Sequence, residues 1–423
     1  MTEKDIALIN ALVYDGTGKK PINNGRILIQ KDHVVAVGER DQIAANENNA
    51  RIVDCTGKSV MPGLIDAHVH LVPFDDNNPY TAFGLTRHSA VGWAIESVAS
   101  ARKTLEAGTT TVRDVGTGAN ITVELRDAIN RGSVEGPRIL SCNRPIGITG
   151  SHGDSFKHTR FEGFQNMERE VRIADGVEDA IKAVREQVVA GADWIKIFAS
   201  GGALETDPSR LFAQEYSPEE LRAIVAEAGR AGKSCAAHCL PDEQMKNCIN
   251  AGVRTIEHGV FAKRDTIQQM KERNVSLVFT LYPYYIFATS VTDLPDVTIE
   301  AAKRATKSQQ DVFKIAREVG VNIANGTDAG APSVPYGTAT KELELMVKFG
   351  MTPIEAIAAS TGGSAKALGI DKNVGTIESG KVADLLVVDG DVGRDVKILQ
   401  DKEKLAMIFS KGRIVKDALK GLQ

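Results

Sequence analysis

In the segment Gly63-Leu64-Ile65-Asp66-Ala67-His68-Val69-His70, two histidines stand one residue apart in an otherwise apolar run. Residues two apart on a strand point to the same side, so His68 and His70 can offer two imidazoles to one divalent cation. Alone, an H-x-H pair is more often just two polar residues at a strand end. Lys196 sits in the middle of Trp194-Ile195-Lys196-Ile197-Phe198, where a lysine is unusual because that side chain is almost never buried without compensation. Desolvation would leave its amine neutral and nucleophilic, able to take up CO2 as a carbamate whose two oxygens could bridge two cations. By itself the same lysine could snorkel to water. His238 in Cys235-Ala236-Ala237-His238-Cys239 and His258 in Thr255-Ile256-Glu257-His258-Gly259 close two successive apolar runs. Either one, taken singly, reads as a satisfied core histidine. Strand alternation sets His238 apart from Cys235 and Cys239, so Cys239 is not counted as a ligand. Asp328, in Asn325-Gly326-Thr327-Asp328-Ala329-Gly330, ends a further run, where an aspartate could equally cap a helix.

The elements that must position these groups are short apolar runs alternating with amphipathic stretches. Eight runs are read: 64–70, 110–115, 138–142, 194–199, 234–239, 255–259, 276–280 and 322–328. Segments such as 177–189, 218–231 and 304–319 carry helical periodicity between them. Repeated βα units of this number make an α/β protein with a TIM (β/α)8 barrel, whose sites are built at the C-terminal ends of the strands. Six metal-competent groups fall at such ends on five of the eight runs, and that joint pattern, not any one motif, argues for a metal site. Both chain ends instead read as short strands with turn signals, at 6–13, 26–29, 34–37, 384–388 and 407–410. They are expected to pair into one small β domain from residues 1–60 and 368–423, with the barrel at 61–367.

The chain has 423 residues, 25% of them charged, and a formal net charge of −4, with no long basic run. That gives no electrostatic footprint for nucleic acid, and no apolar stretch of spanning length appears. The opening Met-Thr-Glu-Lys-Asp lacks a basic region followed by an apolar one. Five scattered cysteines show no C-x-x-C pair, as expected of a reduced cytoplasmic protein.

On Pro62–His70 (P-G-L-I-D-A-H-V-H), the strand lysine, the two later histidines, Gly326–Asp328 (G-T-D) and Gly375–Val388, the chain resembles the amidohydrolase superfamily over nearly its whole length. The resemblance implies a binuclear metal-dependent hydrolase whose terminal segments form a composite β-sandwich. It implies His68 and His70 on the more buried metal, and His238 and His258 on the more exposed one. Carboxylated Lys196 would bridge both, and Asp328 would be ligand and proton shuttle. The cofactors expected are two divalent ions, zinc by default because imidazole and carboxylate ligands suit it, activating water and polarising an amide carbonyl. Gly150-Ser151-His152-Gly153-Asp154 and Gln214-Glu215-Tyr216-Ser217 resemble the prolidase and Xaa-carboxypeptidase-like dipeptidase branch, which is also similar to ochratoxinase-like amidases. In that branch a histidine and a tyrosine at matching places contact the substrate's carbonyl and carboxylate. This implies catalytic roles for His152 and Tyr216, the latter as a hydrogen-bond donor to the oxyanion, although Glu215 alters the local context. The alternative is that both merely order their loops.

The expected activity is hydrolysis of the amide bond of N-acyl amino acids or dipeptides, with aryl amides such as ochratoxin included. A hydantoinase-like ring opener and a non-catalytic scaffold are the competing readings. Small-molecule or short-peptide substrates, no membrane or nucleic-acid partner, and a homo-oligomer are expected. Arg210 is a candidate carboxylate clamp. The aromatic stretch 281–287 reads as a loop after the seventh strand, able to wall a pocket or to pack in an interface.

Overall fold

The computed structural model describes residues 5–43, 50–72, 89–154, 170–202, 210, 213–289 and 296–419. The chain divides into two compact units. One comprises Met1–Asp66, Arg102–Thr111 and Gly337–Gln423, the other Ala67–Ala101 and Val112–Tyr336.

In the first unit, strands from both chain ends form one mixed eight-stranded sheet. Its order is Arg413–Asp417, Leu405–Ser410, Leu385–Asp389, Lys58–Pro62, Ile6–Val13, Ile22–Gln30, His33–Glu39, with Arg51–Asp54 also paired to Ile6–Val13. The join between the ends is antiparallel, with Leu385 opposite Pro62 and Val387 opposite Val60. Period-two alternation lines one side with Leu8, Ile27, Ile29, Val60, Leu385, Val387, Met407 and Phe409, all at most 1% exposed. The sheet therefore encloses a single apolar core.

The second unit holds the chemistry. Trp194–Phe198, Ser234–Cys239, Thr255–His258, Ser276–Val278 and Ile323–Ala324 run parallel in that order. Leu64–Val69, Thr109–Asp114 and Arg138–Ser141 supply three more strands. Backbone hydrogen bonds join the two sets at both edges: Asp193 N donates to Ser141 O at 2.7 Å, Ala67 N to Asn325 O at 2.8 Å and Asp328 N to His68 O at 2.7 Å. Eight strands thus close into a TIM barrel, in the order read from the sequence. Helices return the chain between strands, as parallel connections require. Helix Pro218–Arg230 shows how the sequence sets such a start. Pro218 occupies the first turn, Ser217 Oγ accepts from Glu220 N, and Glu220 in turn accepts from Ser217 N at 2.9 Å.

The stretch expected as a loop at 281–287 is instead the helix Leu281–Thr289. Its aromatics misled the reading, because four rings within six residues hide the helical spacing of the buried Leu281, Tyr284 and Phe287. All five cysteines are buried and free. Among the described residues, no helix is long and apolar enough to cross a membrane.

Candidate metal centre

The first barrel strand brings His68 and His70 to the same side, as its two-residue period requires. Asp328, just past the eighth strand, faces both of them. Its Oδ1 lies 3.4 Å from His68 Nε2 and 3.3 Å from His70 Nε2. One ligand atom from each of the three residues falls within 4.8 Å of the others, a possible metal-binding triad. Gly326 permits the approach: a Cβ there would lie 2.4 Å from a Val278 methyl and 2.8 Å from the Cβ of His68. The other histidines continue the cluster, with ring centroids 4.9 Å apart for His68 and His258, and 4.5 Å for His258 and His238.

The outer nitrogens of three rings are already committed. His68 Nδ1 lies 2.7 Å from the Glu257 carboxylate, which can only accept. His70 Nδ1 donates to Gly116 O at 3.0 Å. Thr280 Oγ1 gives its own proton to Phe279 O, so at 2.7 Å it accepts from His258 Nδ1. Each ring is thereby fixed with its proton on Nδ1 and its lone pair on Nε2, the tautomer a metal needs. For His238 the signal is different: its Nε2 is buried with no hydrogen-bond partner. A buried, unsatisfied ring nitrogen is costly unless something binds it, and a cation is the simplest occupant. These donors fit a divalent metal.

Beneath the histidines lies a buried ion pair. Arg113 donates from Nη2 to Glu257 Oε1 at 2.7 Å, from Nη1 to Thr255 Oγ1 at 2.9 Å and from Nε to Ala67 O at 2.8 Å. Its guanidinium stacks 4.7 Å from the Trp194 ring centroid. Burial acts to raise the Glu257 carboxyl pKa, but Arg113 and then His68 more than offset it and hold Glu257 ionised.

Lys196 is 1% exposed, and burial lowers its amine pKa against the pull of Glu257 and Asp328. Among the described residues no carboxylate lies within ion-pair distance of its Nζ. His238 and His258 are held well below the usual histidine value, first by burial and then by neighbouring groups. Asp328 is well below the usual carboxylate range, because His68 and His70 outweigh the effect of burial. The cluster therefore offers two imidazoles that burial holds neutral, His238 and His258, a carboxylate, and an amine whose pKa burial lowers, while at His70 Asp328 outweighs burial and raises the ring's pKa.

Of the remaining expected residues, His152 joins the cluster. Its ring stacks on His238 at 4.6 Å and meets the Phe198 ring at 5.7 Å. Gly202 makes room, since a Cβ there would lie 2.4 Å from the His152 ring. Tyr216 does not fit the oxyanion-donor role expected of it. It is 1% exposed and its hydroxyl donates to Ala174 O at 3.0 Å, which uses its only proton in tying down the backbone. The Arg210 guanidinium donates to Gly150 O, in the same loop as His152. Sequence reasoning passed over Arg113, Glu257 and Thr280. For Arg113 and Glu257 the available signal was a charged residue inside a short buried strand, the signal that marked Lys196; Thr280 carried none.

The chain matches the model of the Amidohydrolase family over residues 59–415. It belongs to the amidohydrolase family. As an amidohydrolase it is a hydrolase of amide bonds. Its relatives include ochratoxinase of Aspergillus niger, 31% identical over 430 aligned positions that cover 98% of this chain and 87% of that protein. Among solved structures, a Xaa-Pro dipeptidase with methionine bound in its active site superposes with a TM-score of 0.86 at 30% identity, covering 97% of this amidohydrolase and all of that chain (100%). A prolidase complexed with N-methylphosphonate-L-proline gives a TM-score of 0.85 at 28% identity, covering 98% and 100%.

Proposed function

We infer that this amidohydrolase is a metal-dependent amidase that releases a C-terminal amino acid from N-acyl amino acids or dipeptides. The observation that supports the reading is the possible metal-binding group of His68, His70 and Asp328, with the His258 and His238 rings packed beside it and the Nδ1 atoms of three rings already hydrogen-bonded. His68, His70 and Asp328 would hold one ion, His238 and His258 a second, and Lys196, as its carbamate, would serve both. Zinc suits this ligand set. Such ions, when bound, lower the pKa of water and polarise a carbonyl.

The chain's own residues do the rest. Asp328, ionised and facing both His68 and His70, accepts a proton from the attacking water and returns it to the departing nitrogen. The C–N bond breaks, the nitrogen leaves as an amine, and the acyl carbon keeps the water oxygen as a carboxylate. His152, stacked on His238, borders the cluster from the loop after the third strand and is in place to meet the substrate. The dipeptidase and ochratoxinase likenesses support a leaving group that is an amino acid with a free carboxylate.

The test is a panel of N-acyl amino acids and dipeptides, each also as its C-terminal amide, given to protein reconstituted with zinc and bicarbonate. We expect about two ions per chain and loss of activity on chelation. Blocking the carboxylate should slow cleavage about 10–150-fold, the worth of a charge-assisted contact. One ion or fewer per chain rejects the binuclear site, and equal turnover of hydantoins or blocked substrates rejects the substrate class.

A further inference from the structure

Helix Leu281–Thr289 follows the seventh strand, and one of its tyrosines faces the cluster. The Tyr284 ring lies 6.1 Å from His258 at 83°, edge to face. It packs against Leu240 and Val260, the residues two beyond His238 and His258 respectively, and against Ala305. The ring therefore shares a small apolar core with residues just past two of the histidine-bearing strands. The residue is 5% exposed, yet among the described residues its hydroxyl has no hydrogen-bond partner. Other tyrosines spend theirs: Tyr216 donates to Ala174 O and Tyr336 to His70 O. The Tyr284 oxygen does not stand among the fully buried unpaired side-chain atoms, so it remains open to solvent and can give its hydrogen bond to a ligand.

We propose that Tyr284 is a catalytic residue whose hydroxyl donates a hydrogen bond to the scissile carbonyl oxygen as that oxygen takes on negative charge. The inference deepens the amidase reading and rests on it. A tyrosine hydroxyl ordinarily titrates only at about 10, so at neutral pH it is protonated and can donate. No proton leaves the phenol: the bond shortens as the carbonyl carbon becomes tetrahedral and relaxes when the amine departs. Donors aimed at developing charge in a water-poor site act mainly on the transition state. The same ring, wedged beside His258, narrows the space beside the acyl group and so favours a flat or aryl acyl portion.

Tyr284→Phe keeps the packing ring and removes only the hydroxyl. In metal-reconstituted full-length protein, kcat should fall about 10²–10³-fold, as for loss of one oxyanion donor. KM should change little. Metal content and melting temperature should match the parent, and a phosphonate analogue of the tetrahedral state should weaken by the same factor as kcat/KM. Turnover within about twofold of the parent overturns the proposal and leaves Tyr284 as packing. A variant that cannot be reloaded to the parent's metal content also overturns it, because the hydroxyl would then act on the cluster and not on substrate. A parent protein with no amidase activity overturns the amidase reading itself, a result separate from an active parent beside an equally active variant.

Discussion

Asp328 holds a left-handed backbone conformation, φ +56°, which a non-glycine residue adopts only where its surroundings compel it. The reward is a carboxylate oxygen placed between two imidazole nitrogens. Asp328→Asn keeps that shape but removes the basic oxygen. Turnover at matched metal content should fall at least about 10²-fold, typical of losing a general base. Near-parental turnover would assign the proton transfer to another group. At this scale the sequence was informative wherever a polar residue interrupted an apolar run, since burying such a residue demands a reason. His68, His70, Lys196, His238, His258 and Asp328 were all legible that way; the structure brings His68, His70 and Asp328 within reach of one ion, with the His258 and His238 rings beside them. Tyr216 was not legible: a motif locates a residue on a loop, but only coordinates show that Ala174 already takes its proton.

Strand alternation explains what was seen and what was missed at the level of elements. A regular period of two would place Glu257 and His258 on opposite faces, so one strand would not aim both at the same site. The chain breaks the rule at His258, with φ +72°, and both side chains reach the cluster. The glutamate orients His68, while Arg113 links it to Ala67 and Trp194 on two other strands and to Thr255 on its own. Glu257→Gln should therefore weaken the apparent affinity for the ion at His68 and His70 about 10–100-fold, the usual effect of losing a partner that orients a ligand. Titration of the loaded protein with a chelator reads this directly, and a parental curve would mean that ring packing alone orients His68. Helix Leu281–Thr289 escaped the sequence for a different reason: its rings are bulky on every side, so no polar face announces the period.

The whole molecule was legible in outline because eight apolar runs separated by amphipathic stretches admit few arrangements other than a barrel. Which strand of one chain end meets which of the other was not legible, since any alternating β segment can pair with several others. The pairing chosen puts Phe409, fully buried, in the core beside Val60 and Leu385. Phe409→Ala should cost about 3–5 kcal/mol, measured by reversible denaturation, and a loss under about 1 kcal/mol would mean that this core is not closed as described. The same pairing has a meaning for how the chain is made. Lys58 and Asp389 bond across 331 residues of sequence, so at about 5–20 residues per second the ribosome needs about 15–65 s to supply the partner of an N-terminal strand already outside. Through that interval Val60 and Met61 stand on an unpaired β edge, the kind that recruits other chains. Protein yield in a cell should therefore depend on chaperone supply and growth temperature more than the stability of the finished enzyme would suggest.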